Sequence, residues 1–219
     1  MTDFETGLRN AFVNVFPQVT LRGCWFHFRQ CNVKHMNGDP ELRELMSTDP
    51  GWALELRKLI ALSFVPKEEV VAAFDEVESS RPFLDNAEIL ERYIFNNTWI
   101  GGFDRRGNRK PPLFSIESWN CYDSVIQGLL KTNNFCEGFN NAFSSMLSAH
   151  HPTLDRFTQD LLKRQRLTEC TMEQFLAGTT PKPSATEQKI AEKLKHSVDR
   201  YGTIPTLDFL RGAAYNFSI

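Results

Sequence analysis

Long apolar runs are missing from this sequence: none of its stretches approaches the ~18–20 residues a membrane-spanning helix needs. The opening MTDFETGLRN also lacks the apolar stretch of a secretory leader, so no membrane partner is expected. Cysteine is sparse. The five (Cys24, Cys31, Cys121, Cys136 and Cys170) are odd in number and widely scattered, which argues against a disulfide framework and for a reducing compartment. Charge of one sign is missing too. With 25 Lys plus Arg against 27 Asp plus Glu, the formal net charge is −2, so the chain as a whole is not a polybasic nucleic-acid binder. Any DNA contact has to come from a local basic patch. What is abundant is phenylalanine, at 18 residues, many at helical spacing, which points to helices packed through aromatic faces. A hydrophobic fraction of 41% excludes wholesale disorder.

Proline and Asp-Pro punctuate the chain. Thr2-Asp3-Phe4-Glu5 has the form of a capping box ahead of Phe4, Leu8, Phe12 and Val15, and Pro17 stops that helix. Gln18 to Phe26 is β-branched and aromatic and reads as the one strand. Asp39-Pro40 and Asp49-Pro50 each place an N-cap before a proline at the first helical position. Trp52, Leu56, Leu59 and Ile60 form the stripe of the helix that follows. Further helices are expected after Pro66, around Ile89, Leu90, Tyr93 and Ile94, and from Ser115 through Trp119, Tyr122 and Ile126. Between them, GGFDRRGNRKPP from Gly101 to Pro112 is a loop. Phe135, Phe139, Phe143 and Met146 mark another helix, Thr153 to about Thr171 the next, and Gly178 to Ser184 a linker before the last amphipathic segments. The fold class is mostly α.

Glu137 lies about 200° around its helix from Phe135, on a face with Asn133, Asn140, Asn141, Ser144 and Ser148. A carboxylate so placed is where a metal ligand would need to be, although the pattern alone favours an ordinary exposed Glu near a helix N-terminus. Asp3 is a candidate of the same kind, with helix capping as its plain alternative. Cys24, His27, Cys31 and His35 have a zinc-like rhythm, but on one helix a ligand at i+8 lies ~12 Å up the axis. A buried Cys beside a hydrogen-bonded His is the better description. Two basic clusters, Arg105, Arg106, Arg109 and Lys110 in the loop and Lys163, Arg164 and Arg166 on a helix, suit phosphates or simply face solvent.

Taken in order, Thr2-Asp3-Phe4-Glu5, Phe16-Pro17, Gly23-Cys24-Trp25-Phe26-His27-Phe28, Ala61-Leu62-Ser63-Phe64-Val65-Pro66, Trp119-Asn120 and Thr132-Asn133-Asn134-Phe135-Cys136-Glu137-Gly138 resemble the Mutator-like element (MULE) transposases of animal genomes. The resemblance covers about residues 1–170, and LDFLRGAAYN resembles their closing segment. It implies an RNase H-like core with an Asp-Asp-Glu triad, split by a helical insertion, that cleaves DNA with two Mg²⁺ or Mn²⁺ ions. Asp3 would be the second Asp and Glu137 the terminal Glu, both metal ligands, with Cys24 and His27 the family's Cys-x-x-His signature. The chain departs from the pattern at Lys131, where Arg is usual, and at Phe139-Asn140, where Trp-His is usual.

The family's first Asp and opening strands have no counterpart here, so the expectation is an incomplete RNase H-like core. It would comprise a core remnant over 1–38, the helical insertion over 39–112, the helix of the terminal Glu and its successor over 113–177, and a linker and helical tail over 178–219. Such a truncated DNA transposase would be inactive alone and without productively bound metal, nuclear, and able to form oligomers. A truncated gene model is a related reading. The competing class is a non-enzymatic helical module that binds DNA or protein.

Overall fold

The computed structural model describes residues 1–89, 95–129, 131–147, 151–179 and 185–218, apart from the side chains of Phe135, Thr186 and Glu187. Helix α1 (Thr6–Val15) stops ahead of Pro17, which cannot continue it. α2 (Trp25–Gly38) runs into Asp39, whose carboxylate accepts the Glu41 and Leu42 N–H groups and opens α3 (Pro40–Thr48). Asp49 repeats the device for α4 (Pro50–Ala61), accepting the Gly51 N–H at 2.7 Å. A 3₁₀ turn (Leu62–Phe64) then leads to α5 (Val70–Glu78), which begins four residues after Pro66, and to the short α6 (Arg81–Leu84). After a π-turn (Asn96–Ile100) come α7 (Ile116–Trp119), α8 (Tyr122–Ile126), α9 (Asn134–Met146), α10 (Leu154–Leu176), α11 (Ala185–Val198) and α12 (Thr206–Ala214). The expected helical residues Leu90, Tyr93 and Ile94, and most of the 178–184 linker, lie outside the described residues.

The molecule divides into two compact units, Met1–Thr132 with Lys189–Ile219, and Asn133–Gln188. In the first, Leu56, Leu59, Ile60 and Ala61 of α4 are fully buried, facing α5 through Val70, Phe74 and Val77 and α12 through Phe209, Leu210, Ala213 and Ala214. The closing LDFLRGAA segment is therefore the principal partner of α4, so that stretch and the 39–112 segment share one core. Aromatic rings fill the rest: Phe28 stacks on Trp119 at 5.0 Å and meets Trp99 edge-on at 4.8 Å. In the second unit, α9 and α10 pack through Phe143 and Phe157, whose rings are 5.7 Å apart. Thr153 caps α10 there, its hydroxyl accepting the Arg156 N–H.

Several expectations are corrected. Gln18–Phe26 is not a strand. Only Gly23 pairs, in an isolated parallel bridge with Thr2, and the chain is helical from Trp25, where Phe28 is buried in the core. β-branched composition favours a strand only where a neighbour takes its hydrogen bonds. The Thr2 capping box does not form, because Thr2 is in that bridge and α1 starts at Thr6. The α1 stripe is not core-facing either: Leu8, Phe12 and Val15 are exposed, and α1 buries none of its residues. Finally, the helix expected from Ser115 to Ile126 is two helices. Asn120 is pulled into an extended conformation by donating to the Val65 carbonyl at 2.7 Å, while its side-chain oxygen accepts the Tyr122 N–H that opens α8.

Candidate functional site

Asp3 sits between two fixed residues. Before it, Thr2 donates its N–H to Arg22 and accepts from the Cys24 N–H, both at 2.9 Å. After it, the Phe4 ring lies on Gly23 with no room for a Cβ there, and packs edge-on against Trp99 at 5.0 Å and Phe114 at 5.1 Å. Arg9, one turn into α1, lies over the Phe4 and Phe114 rings and donates to the Thr2 hydroxyl at 3.2 Å. The Asp3 carboxylate, about half exposed, meets His27 Nδ1 of α2 at 2.9 Å. Asp3 thus precedes its helix and does not ride on it.

Cys24 and His27 face different ways. Cys24 is the N-cap of α2 and fully buried, and His27 turns to Asp3. Burial pushes the nearby Cys121 thiol up to about 12, which removes it as a thiolate at neutral pH. All five cysteines are free thiols.

The segments around this point converge through hydrogen bonds that the sequence did not foretell. Gly23 donates to the Ser118 carbonyl at 2.6 Å and Trp25 to the Lys131 carbonyl at 2.7 Å. The Trp25 indole donates to the Ser63 hydroxyl at 2.9 Å, and Cys121 donates to the Ser63 carbonyl at 2.7 Å. Lys131 lies under the Trp25 ring, and burial lowers its pKa. Arg9 and Ser118 are supports that no pattern in the sequence singled out, and Phe4 and Ser63 stood in the quoted motifs with no such role assigned to them. Their roles depend on contacts between segments far apart in the chain.

Glu137 is in the other compact unit, on the first turn of α9 after the N-cap Asn133, and is partly buried. The apolar stripe opposite it is only partly covered: Phe139 is 39% exposed. Between α9 and α10 runs a groove of about 610 Å³ walled by Cys136, Phe139, Leu167, Met172 and Phe175, with Arg164 lying over the Phe139 ring at 4.9 Å.

The carboxylate oxygens of Asp3 and Glu137 are the right donor type for Mg²⁺ or Mn²⁺. Among the described residues, no group of three or more His, Cys, Asp or Glu is arranged to hold a metal ion.

The Gly/Pro loop is a small hairpin closed by the Phe103–Arg109 bridge. Asp104 accepts the Arg106 and Asn108 N–H groups, which holds its carboxyl below the ordinary range, and Gly107 takes a φ of +79°. Gly101, at φ +101°, has the Lys110 carbonyl where a Cβ would go. The four cations expected to act together do not have equal places. Arg109 pairs with Asp75 at 2.7 Å, donates to the Gly101 carbonyl and covers the Phe103 ring, whereas Arg105, Arg106 and Lys110 are exposed. Comparison with protein families, curated proteins and solved structures finds no match to the chain.

Proposed function

We propose that this chain is the part of a MULE-like DNA transposase that carries the second Asp, as Asp3, and the terminal Glu, as Glu137, around a helical insertion. The observation that carries this is the convergence of the quoted motifs: the segments at Gly23–Trp25, Ser63–Val65, Ser118–Cys121 and Lys131 bond to one another although up to about a hundred residues separate them. The Thr2–Gly23 pair adds to it. A parallel bridge joined through a helix is the smallest form of a β-α-β crossover, the kind of unit an RNase H-like core is built from. The chemistry would be phosphodiester cleavage for DNA transposition in the nucleus.

The test is a metal-dependent nicking assay on the chain with a strand bearing the family's first Asp fused ahead of Met1. Cleavage lost in both Asp3→Asn and Glu137→Gln, with the helical spectrum intact, is the expected result. Cleavage that persists in both variants, or none at all from the folded fusion, sinks the transposase reading.

The second reading, a helical module that binds DNA without cutting it, is favoured by the exposed cations of the hairpin. Arg105→Ala, Arg106→Ala and Lys110→Ala should each flatten the dependence of log affinity on log salt by about one unit, with no change in sequence preference. Arg109→Ala should instead loosen the hairpin by freeing Asp75. Fluorescence anisotropy with duplex DNA at several salt concentrations measures both. No binding by the wild-type chain at low salt removes the DNA contact.

A further inference from the structure

We propose that the exposed C-terminal part of α10 pairs with the same part of α10 in a second copy of this chain. The unit Asn133–Gln188 is short of a core: among its described side chains only Asn133 and Asp160 are buried, and both are polar. Its two helices also differ in length. α9 has 13 residues and α10 has 23, so they extend about 20 and 35 Å. Phe143 meets Phe157 and Phe139 meets Arg164, which makes the helices antiparallel. By that register α9 begins level with about residue 168 of α10, and residues 169–176 extend past it. The groove between the helices opens there, with Leu167, Met172 and Phe175 at 53, 60 and 45% exposure beside Phe139. With the exposed Cys136, Asn140, Thr168 and Thr171 they present roughly 700 Å² per copy, close to the ~800 Å² each partner gives up in a specific interface.

Thr168, Thr171, Met172 and Phe175 are spaced i, i+3, i+4 and i+7, so they share one face and can interlock with a copy of themselves. An antiparallel pairing centred near Met172 ends the second copy's helix where α9 begins, so α9 is not displaced. Charge favours the same occupant. The last turn of α10 carries no basic residue to complement the negative end of its dipole. Arg164, over the Phe139 ring, has its Nε–H buried with no hydrogen-bond partner. In the pairing each Arg164 stands about one turn from the end of the other α10 and supplies the missing cation. The two guanidinium groups lie at opposite ends of the seam, about 24 Å apart, which is beyond the screening length.

Sedimentation velocity of the full chain from about 1 to 100 μM covers the affinities expected of a small specific interface. The wild-type chain should pass from monomer to dimer across that range. Met172→Glu sets two carboxylates face to face at the centre and should weaken the dimer at least about thirtyfold. Its helical circular dichroism should not change, because Met172 is exposed in the single chain. Arg164→Glu, set against the negative helix end, should weaken the dimer about fivefold. Leu162→Glu, half exposed on another side of α10, should leave it within about twofold. A wild-type chain that stays monomeric throughout overturns the proposal. A dimer that persists in Met172→Glu does so as well, since the contact then lies on another surface such as α1. Equal weakening by Leu162→Glu also overturns it, because added charge and not this face would be the cause.

Discussion

A chain ended after Gln188 should lose the cooperative unfolding of helices α2 to α5. The deletion removes Phe209 and Leu210 of α12 and Leu194 and Val198 of α11, all at 3% exposure or less. Burying a Leu, Val or Phe side chain contributes about 1.5–3 kcal/mol, so the four together supply roughly 6–12 kcal/mol. That is the size of the whole stability of an ordinary domain, about 5–15 kcal/mol. Circular dichroism through a urea titration should show a broad, shallow transition in the shortened chain and a sharp one in the full chain. The sequence alone suggests a different outcome, a helical insertion over 39–112 that stands by itself. A fragment 39–112 that resists limited proteolysis as well as the full chain does would establish that outcome and refute the shared core.

The second large effect is expected at Gly23. A Cβ at this position falls within the Phe4 ring, and the ring is hemmed in by Phe28, Trp99 and Phe114. Gly23→Ala should cost about 2 kcal/mol by overpacking, near the middle of the usual range. For a chain of this size that lowers the melting midpoint by roughly 4–8 °C. Phe4→Leu shrinks the obstructing group, so the double variant should be more stable than the sum of the two single losses, by more than about 0.5 kcal/mol. Strict additivity in calorimetry would mean that the ring and the glycine do not oppose each other. Because Phe4 and Gly23 flank Asp3 and Cys24, the same variant reports on the candidate site.

Local chemistry was legible where it acts alone. Asp39 and Asp49 cap their helices through their own carboxylates, Pro17 ends α1 by lacking an N–H, and Thr153 opens α10 with its own hydroxyl. The hidden features are those decided by distant partners. Gln18–Phe26 has the composition of a strand, yet whether it becomes one depends on a neighbour, and the structure supplies one bridge at Thr2. Asn120 breaks a helix because the Val65 carbonyl lies within reach of it. Of the site, Asp3, Cys24, His27 and Glu137 were named from the sequence. The 2.9 Å meeting of His27 with Asp3 was not, since helical spacing places His27 relative to Cys24 and says nothing of residue 3.

The pairing of α4 with α12 also sets a timetable for synthesis. The ribosome completes α5 at Glu78, but α12 ends at Ala214, 136 residues later. At about 5–20 residues per second, that interval lasts roughly 7–27 seconds. During it the apolar faces of Leu59, Ile60, Phe74 and Val77 have been made and their covering helix has not. The nascent chain therefore passes that interval with an uncovered seam, a natural target for chaperones that hold unfinished polypeptides. Codon changes that slow translation between residues 80 and 200 lengthen that exposure without altering one amino acid of the product.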